Sequence, residues 1–399
     1  MKTKKSVCVV VPDIVVEEGG VQVLADFVFD TLRRSGRYDP TLVSLAVSAD
    51  DEASVRLLSP VTWRGGPRAV TRERRGETHQ HVGCRVAELE FRRYLPRRVL
   101  TEILNQYDVV HVVAGAPAWA MVASECRGVV FLHTATLVSS ERARVKKYKF
   151  PRWGYWMTRV TRRLDLAALR NVRLTFVINP WMEAAVARAV GSSRVVFALP
   201  GVDTDHFRPN GYPEGGYILS VGRFSDPRKD IRTLLRAYAH LRKVAADAPK
   251  LVLAGFTMPA RADWEFAESL GVAEFIERRK SVSHFALADV YRGACMFALS
   301  SVEEGLSLPV VEAMATGLPV VSTRCGGPET VVADGETGYL TPVMDAEAMA
   351  EKMHALLADA DSRRRMGQRA REIAKERFSL EAARRVIIEK YDELLSGVS

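Results

Sequence analysis

Two glutamates eight residues apart, Glu304 and Glu312, form the pair whose type and spacing most clearly indicate chemistry. They belong to the stretch EEGLSLPVVEAMATGLPVV, residues 303–321, which follows the strand-like run CMFALS. Pro309 predicts a helix start between them, because proline is favoured in the first helical turn, where its missing N–H has no intrahelical partner. The preceding loop would offer free backbone amides, those of Leu306, Ser307 and Leu308. Such amides and the helix dipole attract anions, so the pattern predicts a phosphate, or a sugar hydroxyl beside one.

The chemistry of the two carboxylates is compatible with the same site. A carboxylate accepts two hydrogen bonds at once, which matches the vicinal diol of a ribose or a hexose. Acidic residues are also enriched at helix N-termini for stability alone, and two glutamates without further context would be explained in that way. Here the preceding strand, Gly305, Pro309 and a helix rich in small residues favour a ligand site instead.

A pair of basic residues, Arg223 and Lys229, follows the strand-like run YILSVGR. One planar guanidinium and one mobile ammonium neutralise the charge of a diphosphate leaving group. Basic residues near a helix start are also common on solvated surfaces. The residues by themselves leave both explanations open.

The stretch from Glu304 to Glu312 closely resembles the E-x7-E signature of the large family of retaining GT-B glycosyltransferases often called GT4, or group 1. The resemblance implies that Glu312 binds the ribose of a nucleotide and that Glu304 binds the donor sugar near its C3 hydroxyl. It implies that Gly305 and the loop amides that follow contact the sugar and the β-phosphate.

The same resemblance extends to the basic pair. The family carries a GR…K pattern that grips the pyrophosphate, which gives this role to Arg223 and Lys229. Asp230 departs from the pattern, because glycine or asparagine is frequent at that position. No nucleophile is evident in this half. In the family as usually described, the leaving diphosphate helps to deprotonate the acceptor while cations and helix amides stabilise its charge.

The first half of the chain offers weaker signals. Gly19 and Gly20 join a strand pattern to a helix pattern, and glycine pairs permit close backbone approach to a ligand, although most are simple turns. His111 and His133 each fall in a strand-like run, where a structural role is the commoner one. The resemblance implies that the glycine loop faces the donor phosphates or the acceptor. It also implies that His133 is a polar catalytic-site residue near the donor sugar, and that His111 is structural.

Two Asp-x-Asp sequences, at residues 203–205 and 359–361, spell a metal-binding signature of another glycosyltransferase fold. The first lies in a turn pattern and the second at the end of a helix pattern, so we expect neither to bind a metal. Arg223 and Lys229 would supply the positive charge. We therefore expect no cofactor beyond a nucleotide-sugar co-substrate. Lys280 stands where the family usually has glycine, which leaves uridine versus guanosine open, with UDP favoured.

The elements that must position these residues follow from periodicity. The chain has 399 residues, which predicts two domains. Six short apolar runs in each half alternate with amphipathic helix patterns, which is typical of parallel sheets covered on both faces. We predict an α/β GT-B fold of two doubly wound, Rossmann-like domains facing across a cleft. Residues 1–205 would bind the acceptor and residues 206–379 the donor. A final helix, about 380–399 and capped by Ser379, would pack back on the first domain.

Charge and composition limit the partners. The net charge is +9, with +12 on residues 1–200 and −3 on residues 201–399. The five cysteines form no CxxC pair, which favours a reduced, cytoplasmic protein. No apolar run is long enough to span a bilayer. Residues 142–163 mix basic and aromatic residues, which fits either a solvated helix or a surface for an anionic or lipid-linked acceptor. The basic first half leaves peripheral contact with the inner membrane face open, and we expect no nucleic-acid partner.

The sequence thus predicts a hexosyltransferase that moves a sugar from a nucleotide diphosphate to a hydroxyl of a glycan, glycolipid or small molecule. Retention of anomeric configuration is implied by the resemblance alone. The alternatives are a nucleotide-sugar 2-epimerase of the same fold, or a basic polyanion- or membrane-binding protein whose nucleotide site is vestigial. A phosphorylase is disfavoured, because no motif for a pyridoxal lysine is visible.

Overall fold

A computed structural model describes residues 4–13, 20–48, 50–74, 76–138, 151–211 and 215–396. The chain divides into two compact units, each with its own sheet and core. Met1–Pro200 and Arg384–Ser399 form the first unit, and Gly201–Ala383 form the second. Within the described part of the chain, no helix is both long enough and apolar enough to cross a bilayer.

The first unit is built on an eight-stranded sheet in the order β3-β4-β2-β1-β5-β6-β7-β8. Its strands are β1 Lys5–Asp13, β2 Tyr38–Ala46, β3 Ala69–Arg74, β4 Glu77–Val82, β5 Val109–Ala114, β6 Val129–Thr134, β7 Leu174–Val177 and β8 Val195–Phe197. Every described pairing is parallel except that of β3 with β4. The central strands are buried on both faces, which explains their continuous apolar runs. The helices before residue 200 are α1 Gly20–Arg34, α2 Glu90–Arg93, α3 Arg98–Leu104, α4 Pro151–Asn171 and α5 Pro180–Val190.

The six strands predicted in this half are present, but the prediction of six was two too few. The missed strands, β3 and β4, form an antiparallel hairpin at the edge of the sheet. Their sequences, AVTRER and ETHQHV, are mostly polar, and β3 alternates exposed with half-buried residues. An edge hairpin needs no continuous apolar run, so the criterion that found the central strands passed over this one.

The second unit holds a six-stranded, all-parallel sheet in the order β11-β10-β9-β12-β13-β14. Its strands are β9 Tyr217–Val221, β10 Leu251–Gly255, β11 Ile276–Lys280, β12 Ala294–Leu299, β13 Val320–Thr323 and β14 Gly338–Thr341. Its helices are α6 Ile231–Val244, α7 Arg261–Ser269, α8 His284–Arg292, α9 Leu308–Ala315, α10 Pro328–Val331, α11 Ala346–Ala358 and α12 Ala360–Arg377. All six strands predicted in this half are present.

The last helix, α13 (Leu380–Leu395), begins after Ser379, whose Oγ accepts the amide of Ala382 at 3.2 Å. From Arg384 onward the helix belongs to the first unit. The Tyr391 hydroxyl lies 2.6 Å from Nδ1 of His111 on β5, and Lys5 Nζ donates to the carbonyl of Leu395 at 2.8 Å. These bonds join the last helix to β1 and β5, the two central strands of the sheet.

Candidate nucleotide-sugar site

The predicted donor residues collect at the point where the strand order of the second sheet reverses. From β9 the chain proceeds outward to β10 and β11, then returns to place β12 on the other side of β9. Arg223 follows β9 and Glu304 follows β12. Because neighbouring parallel strands end at the same edge, the loops after β9 and β12 meet there, where open α/β sheets bind ligands.

Lys229 and Glu304 form a direct ion pair at this edge. Lys229 Nζ donates to Oε1 of Glu304, and the Oγ of Ser301 donates to the same oxygen at 2.7 Å. Both charged side chains are largely shielded, with 14% and 13% of their surface exposed. The structure thus joins two predicted site residues that are 75 positions apart.

Backbone bonds fix the two loops on each other. The Ser300 hydroxyl lies 3.0 Å from the carbonyls of both Lys229 and Asp230. The amide of Val302 donates to the Arg228 carbonyl at 2.8 Å. The Lys229 ammonium is therefore held beside Glu304 by the loop backbone as well as by its charge.

Asp230 adopts the left-handed backbone conformation, with φ 41° and ψ 54°, immediately before α6. Aspartate is among the few non-glycine residues that tolerate this region. Its Oδ2 also accepts the Thr233 hydroxyl at 2.6 Å. The departure from glycine or asparagine therefore keeps the turn and leaves Lys229 in place.

A tight contact with a neighbouring loop holds the backbone around Glu304. The Glu304 amide donates to the Cys325 carbonyl at 2.9 Å, and the Gly327 amide donates to the Glu304 carbonyl at 3.1 Å. A Cβ built on Gly327 would lie 2.7 Å from the carbonyl oxygen of Gly305. Only glycine fits there without a shift of the loop.

The start of α9 has the predicted form. Ser307 caps it with φ 63°, and Pro309 stands in the first turn. The amides of Leu306, Ser307 and Leu308 donate to no carbonyl or side chain in the part of the chain that the structure describes. Ser307 is buried, and its hydroxyl also lacks a partner there. Unsatisfied buried polar groups are rare in folded proteins, so this helix start has spare donors for an anion or a hydroxyl.

Glu312 lies on α9 and is 8% exposed. The hydroxyl of Tyr291, from α8, donates to Oε2 of Glu312 at 2.8 Å. Burial raises the pKa of Glu312 to about 7, although the hydrogen bond from Tyr291 lowers it. No described residue donates to the other oxygen, Oε1. A ligand hydroxyl would therefore meet a carboxylate that is oriented on one side and open on the other.

Arg223 has a different environment from Lys229. Its side chain is 68% exposed, and its guanidinium lies 3.9 Å from Oδ2 of Asp226. Asp226 is also bound by Arg228 at 2.6 Å. The long, loosely held side chain at the strand end has freedom to approach a ligand phosphate, whereas Lys229 is already in position.

The first-half predictions lie in the other unit. Gly19 is outside the described residues, and Gly20 opens α1 with open space where a Cβ would be. His133, on β6, is fully buried and its Nε2 lies 3.0 Å from the Ala198 carbonyl. Burial lowers its pKa to about 4, although that hydrogen bond raises it. His133 is thus a neutral imidazole near neutral pH, and its catalytic role stays a prediction.

The two Asp-x-Asp sequences serve the local backbone. Asp203 Oδ1 accepts the amides of Asp205 and His206 at 3.0 and 2.9 Å, which forms a tight turn. Asp359 accepts the amide of Ser362 at 2.8 Å and caps α12. In both sequences the first carboxylate satisfies backbone donors in the way that is usual for aspartate in turns and helix caps.

Two residues of the site were missed from the sequence, Tyr291 and Ser301. Tyr291 sits in an amphipathic helix pattern that predicts only core packing. Ser301 is one of two serines directly after β12, and polar residues at a strand exit are a usable signal. The contact of Ser301 with Glu304 and that of Tyr291 with Glu312 could be assigned only from the tertiary structure.

Solved structures share this fold over almost the whole chain. Sucrose-phosphate synthase from Thermosynechococcus elongatus has a TM-score of 0.71 at 19% sequence identity. The superposition covers 99% of this chain and 100% of the synthase chain. The Anabaena protein HepE in complex with UDP has a TM-score of 0.67 at 14% identity, with 97% and 99% covered. The two parallel-sheet units therefore have the GT-B fold, as the sequence predicted.

Family comparisons assign both units. The family model described as "Glycosyl transferases group 1" matches residues 202–373, and the model described as "Glycosyltransferase Family 4" matches residues 18–206. The chain belongs to this GT4, or group 1, family of glycosyltransferases. The D-inositol 3-phosphate glycosyltransferase of Corynebacterium urealyticum is 32% identical in an alignment 222 residues long that covers 51% of this chain. The chain spans about half the length of that relative, 52%.

Proposed function

We propose that this protein transfers a hexosyl group from a nucleotide diphosphate sugar to an acceptor hydroxyl, with retention and without a metal ion. The observation that carries the proposal is the Lys229–Glu304 pair beside a helix start with unsatisfied donors. A diphosphate supplies the anion that this helix start lacks, and a sugar supplies hydroxyls for Glu304.

The residues divide the work between charge and position. As the glycosidic bond breaks, negative charge grows on the leaving diphosphate. Lys229, the amides of Leu306–Leu308 and the mobile Arg223 would stabilise that charge. Glu312 would hold the nucleotide ribose, and Glu304 the sugar. Retention and the role of the leaving diphosphate as a base follow from the family.

We favour UDP as the nucleotide. The HepE structure was solved in complex with UDP, which supports a uridine donor on the same fold. A relative named as an inositol-phosphate glycosyltransferase, together with the +12 charge of residues 1–200, supports an anionic acceptor. We also propose that the first unit contacts a membrane that bears such an acceptor.

A thermal-shift series with UDP, GDP and ADP tests the donor site. A ligand at about a hundredfold excess over its Kd adds about 2.7 kcal/mol of stability, so one nucleotide should raise the melting temperature clearly. UDP is expected to give the largest shift. If none of the three raises the melting temperature, the donor site is refuted.

Transfer assays test the chemistry. Glu304→Ala should lower turnover roughly a hundredfold, in line with the loss of one group that acts in the transition state. Glu336→Ala, at an exposed position in the same unit, is the matched control and should transfer normally. Activity should survive EDTA. A 2-epimerase would convert the donor without forming an acceptor-linked product, and full hexosyl transfer by Glu304→Ala would refute the assignment.

A further inference from the structure

In the first unit, four large apolar side chains lie exposed within one stretch of seven residues. They are Leu57, Leu58, Val61 and Trp63, which are 42%, 92%, 86% and 52% exposed. Single exposed apolar residues are normal, but a contiguous group marks a surface that meets another phase or molecule. We call residues 56–67, which carry this group, the apolar loop.

The apolar loop is shaped by its own hydrogen bonds. The Thr62 hydroxyl donates to the Ser59 carbonyl at 2.7 Å and accepts the Arg56 amide at 3.0 Å. The Trp63 indole N–H donates to the Arg56 carbonyl at 2.8 Å. The polar groups therefore face inward and close the loop, which directs the aliphatic side chains outward.

Both ends of the loop are fixed to the edge of the sheet. The Val55 amide donates to the Cys84 carbonyl at 2.9 Å, and the Val86 amide donates back to Val55 at 2.8 Å. At the other end, the Arg68 amide donates to the Ala53 carbonyl at 3.0 Å. The loop is a closed projection with a defined tip rather than a loose connection.

The charge around the loop has one dominant sign. Residues 56–68 contain three arginines, Arg56, Arg64 and Arg68, and no acidic residue, a net charge of +3. Arg64, which follows Trp63 in the chain, and Arg68 are exposed, while Arg56 lies 3.8 Å from the carboxylate of Asp50. The Glu88 carboxylate contacts the loop, where it accepts the Leu57 amide at 2.9 Å. An anionic surface complements this arrangement.

A second exposed aromatic group is linked to the loop. Tyr155 and Trp156, on α4, are 66% and 48% exposed. Trp156 packs edge-on against Phe91 with ring centroids 6.3 Å apart. Phe91 lies three residues after Glu88, the partner of the Leu57 amide. The short segment 88–91 therefore touches both apolar groups.

We infer that the apolar loop is a membrane-docking element, which inserts Leu58 and Val61 into the headgroup region of an anionic lipid surface. Trp63 has the amphipathic form that favours the interface, and Arg64 would remain with the headgroups. Arginines nearby supply the electrostatic part of the attraction. The inference adds a docking site to the proposed membrane contact and rests on that proposal for its purpose, since a lipid-linked acceptor would then lie close to the enzyme.

Vesicle flotation with the full-length protein tests the docking. Wild type should bind vesicles of phosphatidylcholine mixed with phosphatidylglycerol and should bind pure phosphatidylcholine far less. The Leu58→Ser/Val61→Ser variant should bind the mixed vesicles about 10-fold more weakly, because two partly inserted aliphatic side chains are lost. Arg64→Glu should weaken binding to the mixed vesicles by about 10-fold, and added salt should narrow that difference.

The matched control is Val244→Ser/Met344→Ser, which changes two exposed apolar residues of the second unit and should bind vesicles as wild type does. Wild type that leaves the mixed vesicles unbound, or a Leu58→Ser/Val61→Ser variant that binds them equally well, would overturn the inference. So would a loss of self-association in that variant without a change in vesicle binding, since the loop would then cover a second copy of the chain. Flotation requires no donor, and the UDP thermal shift of the same proteins reports separately on the proposed function.

Discussion

Replacing Glu312 with glutamine should stabilise the ligand-free protein and lower its affinity for a nucleotide. In the structure Glu312 is buried, and Tyr291 donates to Oε2 at 2.8 Å. Burial raises the pKa of Glu312 to about 7 from the ordinary 4.5. A glutamine carbonyl accepts the same bond from Tyr291, but it carries no charge to desolvate.

The magnitude follows from that pKa. A carboxyl whose pKa is higher in the folded state holds its proton longer there, so stability falls as pH rises between the two pKa values. A rise of about 2.5 pKa units, at about 1.4 kcal/mol each, amounts to a cost of about 3 kcal/mol above about pH 7. At about pH 5 most of that cost is absent, because this pH lies only about half a unit above the ordinary carboxyl pKa and well below the raised one.

Chemical denaturation at about pH 5 and about pH 8 measures this difference. Glu312→Gln should exceed wild type in unfolding free energy by about 2–3 kcal/mol at about pH 8 and by less than about 1 kcal/mol at about pH 5. In calorimetry the same variant should bind UDP about 10-fold or more weakly, because its amide oxygen is occupied by Tyr291 and its NH2 group cannot accept a hydrogen bond from a ribose hydroxyl.

Glu351→Gln is the control, since Glu351 is exposed on α11 of the same unit. It should alter neither stability nor nucleotide binding. The reasoning is refuted if Glu312→Gln is less stable than wild type at about pH 8, or if its advantage is the same at about pH 5. Unchanged UDP affinity together with raised stability would make Glu312 a structural residue and remove it from the donor site.

Three further outcomes are expected. Lys229→Met should lower UDP affinity and leave the Glu304 carboxylate without its ion partner, so Glu304→Gln in the same protein should restore thermal stability but not binding. Gly327→Ala should destabilise the protein by about 1–3 kcal/mol in denaturant titrations, because its Cβ would press on the Gly305 carbonyl, and an unchanged midpoint would contradict that contact. In NMR titrations His133 should stay neutral down to about pH 5, since burial lowers its pKa to about 4; a midpoint above about 6 would show that it is solvated.

The central elements of this protein were predictable because their residues obey local rules. Strands buried on both faces need continuous apolar runs, and all twelve predicted strands are present, although β11, at an edge of its sheet, is mostly exposed. Pro309 placed the start of α9 for an equally local reason. The β3–β4 hairpin was missed because an edge strand with one solvated face obeys a different and weaker pattern.

The site divides in the same way. The sequence by itself named the charged candidates, Glu304 and Glu312 from type and spacing, and Arg223 and Lys229 through the resemblance to the family. Only the tertiary structure decided which charges meet. It pairs Lys229 with Glu304 through loops that follow adjacent strands, and it sets Tyr291 against Glu312 in a buried site. Burial and long-range partners depend on sheet order, which local spacing does not encode, so the raised pKa of Glu312 belongs to the fold.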